Sequence, residues 1–544
     1  MKYNKLLVGL FLAILIFGCA NRYLEQNDEN SFDSNKGWND FLYNSFDTIS
    51  MHTLQSNAFS WKIISTSLLM YYNDKEGLKI DLKNLPMIFK KFGFMYPNSI
   101  KNLPSVESRL KYSPLGIVKG RTRLLNIFPV EGVNIGCASC HAGPVYDEEG
   151  VTTNQLWAGQ PNTSINFEMY VNEVFNSLLY VVDQKKEFTK SLNNLYPEIG
   201  FLEKFTINHL LFNNYKKLII TMNEKLGRLA PYPLGAPGIT NGVSALKYQL
   251  NIIEREKYND NEVGFTSIPD ISSRELRTSL LYDGVYAADN KHFYPRDEKE
   301  YKYSKKSIIK DHTRIISLFT VPTMGITLTQ ASQMHLEIDQ IVEAIYEEYV
   351  PQQFPGQIDS NLAKKGRELY NNNCASCHGL YSDDQVRPKL ISFPNKLSKL
   401  EEIQTDPMRA KAINSQLIKH LKDSKFEGVH AERTLGYVGT ILDGVWATAP
   451  YLHNGSVPTL WHLLFPDKRP EKFLVGGHML DYEKVGILHD KDDYLKYKKG
   501  YQPFSLPVII NTNLPGYSNQ GHEIEFSTLT PKEKIALIEF LKLI

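Results

Sequence analysis

Cysteine is scarce in this chain, and neither sign of charge predominates. Only five of its 544 residues are cysteines, and 61 basic side chains stand against 60 acidic ones, so the net charge is +1. An almost neutral chain has no overall field that would attract nucleic acid, and we expect no nucleic-acid partner. With 42% hydrophobic and 22% charged residues, the composition is typical of a folded protein of roughly two to four domains, not of a disordered or multi-span chain.

The chain begins with a short apolar run instead of a membrane span. Two lysines precede residues 6–17, a run of about a dozen apolar residues, whereas a transmembrane helix needs about 20. A charged start followed by a short apolar segment predicts an export signal over residues 1–18. The run ends in Ile-Phe-Gly-Cys at Cys19, which resembles the lipobox of bacterial lipoproteins, although Phe17 is bulkier than the residue usual there.

This N-terminus also predicts a compartment. We expect Cys19 to carry acyl chains and residues 19–37, which are polar and aperiodic, to form a lipidated tether. Ala20 does not match the aspartate that favours inner-membrane retention, so we expect a periplasmic protein on a bacterial membrane, with the outer membrane preferred. The lipid anchor would be its only membrane contact. The alternative is an ordinary signal peptide followed by an incidental cysteine.

The other four cysteines lie in two copies of one pentapeptide. Cys-Ala-Ser-Cys-His occupies residues 137–141 and 374–378, and C-x-x-C-H is the attachment pattern of c-type haem. Two thiols three positions apart can add to the two vinyl groups of one porphyrin, while the adjacent histidine reaches the iron. We therefore expect two covalently bound c-type haems, held by four cysteines and two proximal histidines: Cys137, Cys140, His141, Cys374, Cys377 and His378.

Two other chemistries use paired cysteines. The two pairs could form one Cys₄ zinc site or two redox dithiols. Neither needs a histidine after both pairs. Export also favours haem, because c-type haem is attached outside the cytoplasm, where bare zinc thiolates tend to oxidise. The duplicated pentapeptide therefore indicates a di-haem protein with no cysteine left for a disulfide framework.

The spacing of the motifs predicts a mainly α fold with two cytochrome c-like haem domains. The C-terminal domain, residues 358–544, has a predicted helix at 362–371 before its haem motif and a second at 531–544. In the cytochrome c fold these two helices cross. We expect Gly366 to be the point of close approach and Phe540 to pack there.

The N-terminal domain, residues 38–350, is larger, and we expect long loop and helix insertions in it. No helix is predicted before its haem motif, and residues 129–136 are predicted to form a loop. An amphipathic helix over residues 333–350 closes this domain. Residues 351–357, with two prolines and a glycine, form the interdomain linker.

Three stretches carry a resemblance to a known family. Residues 355–379, residues 444–460 and the Asn-Gln-Gly-His-Glu sequence at 519–523 resemble the di-haem cytochrome c peroxidase superfamily, and within it most strongly the branch that contains the rubber oxygenases. The N-terminal domain shares mainly its haem motif and the Gln-Pro-Asn-Thr stretch at 160–163. The resemblance implies that the N-terminal haem offers an open position to peroxide or dioxygen, while the other haem is six-coordinate and relays electrons.

The resemblance also implies the sixth ligand of the second haem. It selects His522, whose Asn-x-Gly-His-Glu setting matches a distal histidine of the rubber-oxygenase branch. Met479 corresponds to the choice of the peroxidase branch, and His453 is a rival that in related enzymes mostly orders a loop beside the haem. Trp446 is expected to pack beside the haem with its N–H bonded locally. The remaining candidates after the second motif are His420, His430, His462, His478, His489 and Met408.

No motif identifies the sixth ligand of the first haem or a catalytic residue. Its candidate ligands are five isolated histidines: His52, His209, His292, His312 and His335. In relatives, the stretch that contains Arg274 and Arg277 often approaches the distal pocket, where a guanidinium could stabilise a peroxide oxygen. For both arginines we favour a solvated helix face over this role. Relatives often bind calcium between the domains, so calcium is a further candidate cofactor, although the Thr-x-Pro site is not evident in residues 439–442.

Three functions remain open at this point. We expect a cytochrome c peroxidase, which reduces hydrogen peroxide with two electrons that reach it through the second haem from a small periplasmic cytochrome or cupredoxin. The first alternative is an oxygenase of the rubber-oxygenase type, which cleaves an apolar organic substrate with dioxygen at the first haem. The second is a non-catalytic electron-transfer lipoprotein. The large first domain argues against a simple carrier, and lipid anchoring argues against secreted polymer degradation.

Overall fold

The computed structural model describes a defined set of residues: 34–43, 59–103, 113–124, 127–226, 230–254, 257–259, 261–288, 291–424, 426–477, 479–499, 501, 503 and 505–544. The predicted signal peptide, Cys19 and most of the predicted tether lie outside these ranges. No helix within them is both long and apolar enough to cross a membrane.

Helices contribute most of the regular structure. In chain order the α-helices are α1 (Ser34–Tyr43), α2 (Trp61–Glu76), α3 (Leu85–Lys90), α4 (Phe167–Val181), α5 (Lys185–Leu195), α6 (Phe201–Phe205), α7 (Phe212–Leu226), α8 (Gly242–Gln249), α9 (Glu298–Met324), α10 (Leu328–Ser332), α11 (His335–Glu348), α12 (Ser360–Asn373), α13 (Ala375–His378), α14 (Leu400–Ile403), α15 (Met408–Ala412), α16 (Ser415–Asp423), α17 (Leu460–Leu464), α18 (Glu523–Ser527) and α19 (Pro531–Leu541). A π-helical segment, Thr206–Leu211, joins α6 to α7.

The strands are mostly short and pair in small sheets. They are β1 (Phe59–Ser60), β2 (Ser99–Ile100), β3 (Ile117–Leu124), β4 (Phe128–Ile135), β5 (Ala142–Tyr146), β6 (Thr152–Ala158), β7 (Ile239–Thr240), β8 (Thr266–Ser267), β9 (Ser279–Leu280), β10 (Tyr286–Ala287), β11 (Arg296–Asp297), β12 (Leu380–Tyr381), β13 (Leu390–Phe393), β14 (Leu397–Lys399), β15 (His430–Ala431), β16 (Gly436–Val438), β17 (Lys472–Val475), β18 (Leu480–Asp481), β19 (Gly486–Ile487) and β20 (Val508–Asn511). The pairs are antiparallel except β2 with β6.

A β-hairpin precedes the first haem motif. The loop predicted at residues 129–136 is wrong: strand β4 covers that stretch and pairs with β3 along its whole length. Pro129 is tolerated because β1 pairs only with Gly132 and Val133, which leaves the start of β4 at a sheet edge. The first motif is therefore flanked by the sheets β1–β4–β3 and β2–β6–β5, in addition to the expected loops and helices.

Helix α1 packs beside the first haem motif. Gly37 lies so close to α11 that an added Cβ would meet the carbonyl oxygen of Gln340 at 2.4 Å. Trp38 donates from Nε1 to Oε2 of Glu348 at 2.9 Å. The end of the predicted tether thus belongs to the folded part, because α1 begins at Ser34.

The predicted closing helix is present, and the predicted linker segment has no regular structure. The helix predicted at residues 333–350 is confirmed as α11, with bounds of His335–Glu348. Residues 351–357 form neither helix nor strand, yet Gln352 and Phe354 are buried. The backbone carbonyl of Gln352 accepts from Trp446, and its side-chain amide donates to Gln160 at 2.9 Å. The linker is therefore packed between the two haem regions.

The two predicted helices of the C-terminal region cross as expected. Helix α12 begins after Asp359, whose side chain accepts from two backbone N–H groups. Helix α19 begins with a capping box between Thr530 and Glu533. At the crossing, a Cβ on Gly366 would lie 2.0 Å from the carbonyl oxygen of Ala536. The ring of Phe540 packs against Tyr370, with centroids 5.1 Å apart.

The sheets connect the two predicted domains. Strand β10, from the N-terminal region, pairs with β15, and β11 pairs with β13. Backbone hydrogen bonding therefore continues across the boundary that the sequence predicts at residue 358.

We predict that Gly366→Ala destabilises the C-terminal region. The added methyl group must displace the Ala536 carbonyl, and overpacking of this kind costs roughly 2–3 kcal/mol. Thermal unfolding of the haem-loaded protein should show a lower midpoint. The matched control is Gly200→Ala, because Gly200 is exposed and has nothing within 4 Å of the new Cβ. Equal midpoints for the two variants would contradict the close crossing.

Candidate haem sites

A cavity surrounds the second pentapeptide. It has a volume of about 460 Å³, and its lining includes Cys374, Cys377 and His378 together with His453 and His522. This volume lies in the range of pockets that enclose small organic molecules and cofactors. The structure thus brings both cysteines and three histidines of the C-terminal region to one cavity.

The α12–α13 junction positions the proximal histidine. The backbone N–H of Cys374 donates to Tyr370 at 2.8 Å, so the motif continues directly from α12. Nδ1 of His378 donates to the carbonyl oxygen of Thr440 at 2.7 Å. Because a carbonyl can only accept, this bond fixes the tautomer and leaves Nε2 as the nitrogen with a free lone pair. A bond of this kind orients an axial imidazole.

His522 faces His378 across the cavity. The ring centroids are 6.2 Å apart, with an angle of 32° between the ring planes. An iron atom about 2 Å from one nitrogen of each ring would separate the centroids by roughly 6 Å. The backbone of His522 is left-handed, with φ of 66°, immediately before α18. The donor set and its spacing therefore fit a haem held between two imidazoles.

Burial keeps these imidazoles neutral. The pKa of His522 is lowered to about 3, first by burial and then by the nearby charge of His378 and Arg469. Burial also lowers the pKa of His378. Neutral imidazole is the form that binds a metal, so both rings are ready to act as ligands at pH 7.

The rival ligands occupy other positions. His453 lines the cavity, but its ring stacks on Tyr437 at 4.2 Å, and its Nε2 is buried without a hydrogen-bond partner. Both ring nitrogens of His462 are bonded, to Thr459 and to Tyr494. Five other candidates are described but do not line the cavity: Met408, His420, His430, Met479 and His489. His478 lies outside the described residues.

The first pentapeptide forms a turn between β4 and β5. Cys137–Ser139 is a 3₁₀ turn, and Cys137 packs against the cluster that contains Trp38 and Phe41 of α1. The pKa of His141 is lowered to about 4 by burial and by the charge of Arg274. This histidine is therefore also neutral at pH 7.

The two alternative cysteine chemistries receive no support from the geometry. In the described part of the chain, which includes all four motif cysteines, their sulfur atoms do not gather into a metal-binding group. Burial raises the pKa of Cys137 and of Cys140 to about 11. Reactive redox cysteines have lowered pKa values instead.

The candidate sixth ligands of the first haem are dispersed. His209 is exposed and packs on Phe205. Both nitrogens of His312 are engaged, by the Tyr346 hydroxyl and by a backbone carbonyl. His335 begins α11 and lies edge-on to Phe426. His292 lies beside His430 in a separate cluster, and His52 lies outside the described residues.

The stretch that contains Arg274 and Arg277 runs between the two candidate haem sites. Arg274 lines the second cavity, donates to the carbonyl oxygen of Asp270 and lowers the pKa of His141. Arg277 is buried and donates to three backbone carbonyls, including that of Gly439 at 3.2 Å. Neither side chain is on a solvated helix face. The solvated helix face, which the sequence favours over a role at the distal pocket of the first haem, is therefore wrong for both: Arg277 is buried, and Arg274 lies in the wall of the second cavity.

Trp446 lies beside the linker and strand β5, and it does not line the cavity around the second pentapeptide. Its Nε1 donates to the carbonyl oxygen of Gln352 at 3.1 Å, so its N–H is bonded locally as expected. The ring packs edge-on against Tyr146 and Phe354, with centroids 5.9 and 5.4 Å away. Tyr146 ends strand β5, which follows His141 directly.

The sequence did not reveal two buried acids in the cavity wall. Asp270 accepts from the Tyr349 hydroxyl at 2.7 Å, and burial raises its pKa to about 6. Asp443 accepts from Ser273, and burial raises its pKa. Both line the cavity. From the sequence alone, an isolated aspartate in a loop cannot be recognised as a cavity-lining residue, because its burial depends on the fold.

Comparison with known proteins supports the haem chemistry of the C-terminal region. Residues 361–433 match the family model described as cytochrome C oxidase, cbb3-type, subunit III, and residues 436–474 match the one described as RoxA-like, cytochrome c-like. The matched stretches cover α12, the second haem motif and part of the cavity wall.

Two relatives from Sinorhizobium fredii (strain NBRC 101917 / NGR234) are both called uncharacterized. The protein y4iM is 36% identical over 169 residues, which cover 26% of this chain and 36% of the relative. The protein y4iJ is 28% identical over 253 residues, which cover 35% of this chain and 40% of the relative. The chain thus spans well under half the length of either relative. The family models identify the C-terminal region as c-type cytochrome, related to the RoxA-like group, and a domain of this kind binds haem covalently.

Proposed function

We propose that the chain is a di-haem c-type cytochrome oxidoreductase, in which the second haem relays electrons and the first reduces hydrogen peroxide. The observation that carries this proposal is the pair His378 and His522, whose rings face each other 6.2 Å apart in one cavity. Cys374 and Cys377 would form the thioether bonds, and the two histidines would occupy both axial positions.

The residues of this cavity suit electron transfer. Cys374, Cys377, His378 and His522 would hold a haem there, and the haem would supply one-electron chemistry. The Thr440 carbonyl holds His378 in one orientation. The wall is largely apolar and buried, which limits the rearrangement that a change of charge would cause. These features favour a relay over a site of substrate binding.

Packed groups connect the relay site to the first motif. Residues 269–274 run from the neighbourhood of His141 to the cavity wall. Trp446 contacts Tyr146 on one side and the linker on the other. This contiguous packing supports electron transfer between two haems held at His141 and His378. The first haem would then receive electrons from a small periplasmic cytochrome or cupredoxin by way of the second.

An oxygenase is the second candidate. The RoxA-like match at residues 436–474 favours it, because the sequence resembles the rubber-oxygenase branch. In that case the first haem site would bind dioxygen and an apolar substrate. Calcium between the domains belongs to the same resemblance. Residues 439–442 were considered as a calcium site. Within them, the Thr440 carbonyl already accepts a hydrogen bond from His378.

Export and lipidation complete the proposal. The N-terminal pattern up to Cys19 supports a periplasmic protein anchored to a bacterial membrane by its acyl chains. The electron donor would then be a small protein of the same compartment.

We predict two covalent haems. The mass of the purified protein should exceed that of its processed polypeptide by two haems, and denatured protein should retain haem staining in a gel. The double variant Cys137→Ala/Cys140→Ala and the double variant Cys374→Ala/Cys377→Ala should each lose one haem. A polypeptide mass with no added haem, or zinc in place of iron, would refute the proposal.

We predict that His522→Ala converts the second haem from low spin to high spin. Removing one imidazole opens an axial position and weakens the ligand field, which electron paramagnetic resonance and the visible spectrum report. His453→Ala is the matched control, because His453 lines the same cavity but stacks on Tyr437. If His453→Ala alone opens the iron, the ligand assignment is wrong.

We predict that the haem-loaded protein oxidises a reduced small cytochrome when hydrogen peroxide is added. The variant Cys137→Ala/Cys140→Ala should lose this activity, because it removes the proposed peroxide site. The variant Cys374→Ala/Cys377→Ala should lose electron delivery instead. Dioxygen uptake with a polyisoprene emulsion, without peroxide turnover, would establish the oxygenase. Reversible reduction of the haems without peroxide turnover or dioxygen uptake would indicate a non-catalytic electron carrier.

A further inference from the structure

Three metal-ligating side chains meet on the sheet β9–β10–β15, away from the haem cavity. One ligand atom each from His292, His430 and Glu432 lies within 4.8 Å of the others. None of the three lines the cavity around His378. The cluster is therefore distinct from the cavity at the second haem motif.

One backbone carbonyl connects His292 to the segment that carries His430 and Glu432. His430 and Glu432 are two positions apart along an extended segment, so their side chains project from the same face. The backbone N–H of Glu432 donates to the Val285 carbonyl oxygen at 3.0 Å. Nε2 of His292 donates to the same oxygen at 3.1 Å. The residue after strand β15 and the segment after β10 thus both make a hydrogen bond to the Val285 carbonyl oxygen.

The His292 side chain is oriented as a metal ligand would be. It is 4% exposed, and its Nδ1 has no hydrogen-bond partner. Because Nε2 donates its proton to a carbonyl, Nδ1 carries the lone pair. Metal-binding histidines commonly make this same bond with the nitrogen that does not bind the ion.

The separations match ligands that share an ion. Nδ1 of His292 lies 3.6 Å from Oε2 of Glu432, which is too long for a hydrogen bond. Two ligand atoms about 2.1 Å from one tetrahedral ion are roughly 3.4 Å apart. The rings of His292 and His430 are edge-to-face, with centroids 5.3 Å apart. A small cation between these groups would satisfy all three.

We propose that His292, His430 and Glu432 bind a zinc ion. Two imidazoles and one carboxylate are a known zinc donor set, and they leave a fourth position for water. Glu432 is 53% exposed, so the ion can enter from solvent. A bound zinc ion would crosslink the segment that carries His292 to strand β15. The same part of the fold reaches the haem cavity, because Tyr282, which precedes β10, accepts from Val438 in its wall.

The test is zinc binding by the haem-loaded full chain. After dialysis against a chelator, the protein is titrated with zinc chloride by calorimetry, and bound zinc is counted by elemental analysis, which separates it from haem iron. We expect wild type to bind one zinc with an affinity at least about tenfold higher than Glu432→Gln or His430→Asn, since loss even of an outer-shell partner costs 10–100-fold. Zinc should also raise the unfolding midpoint of wild type more than that of either variant.

His209→Asn is the matched control, because His209 is exposed and lies outside the cluster. It should bind zinc as wild type does. The haem absorption spectrum of each variant should equal that of wild type, which shows that the fold is kept. Wild type that binds no zinc, or Glu432→Gln and His430→Asn variants that bind it with unchanged affinity, would overturn the proposal.

Discussion

The close crossing of α12 and α19 is the constraint on which the second haem site depends. With Gly366 against the Ala536 carbonyl, the two helices approach more closely than any larger residue would allow. Helix α12 leads directly into Cys374, and α19 follows the segment that contains His522. The crossing therefore fixes both sides of the cavity. The 6.2 Å separation of the His378 and His522 rings thus depends on the close backbone approach of Gly366 to Ala536.

The sequence predicted local features well, because they depend on short-range chemistry. The pentapeptides, helix α11 and the crossing helices follow from spacing, capping and periodicity. Strand β4 was not predicted, because Pro129 and Gly132 are typical of loops and only its pairing with β3 makes it a strand. Tertiary pairing of this kind overrides local preference.

Long-range juxtaposition accounts for the other differences. Arg274 is far from the second pentapeptide in the sequence, yet it lines that cavity and also acts on the pKa of His141. The buried acids Asp270 and Asp443 likewise become wall residues only when distant loops meet. In the sequence, His292 and His430 are two isolated histidines, each considered as a haem ligand. The fold places them together instead, through the pairing of β10 with β15.

The cavity couples folding to haem attachment. Burial lowers the pKa of His453 and of His522 to about 3, so the protein places neutral, polar rings in an apolar wall. Burying a polar nitrogen without a partner costs free energy, and Nδ1 of His522 has no hydrogen-bond partner among the described residues. In the proposed ligation, an iron bond to His522 would compensate for the solvation that this ring loses on burial. A buried ring that makes the polypeptide alone less stable would then help to hold the attached haem in a single orientation.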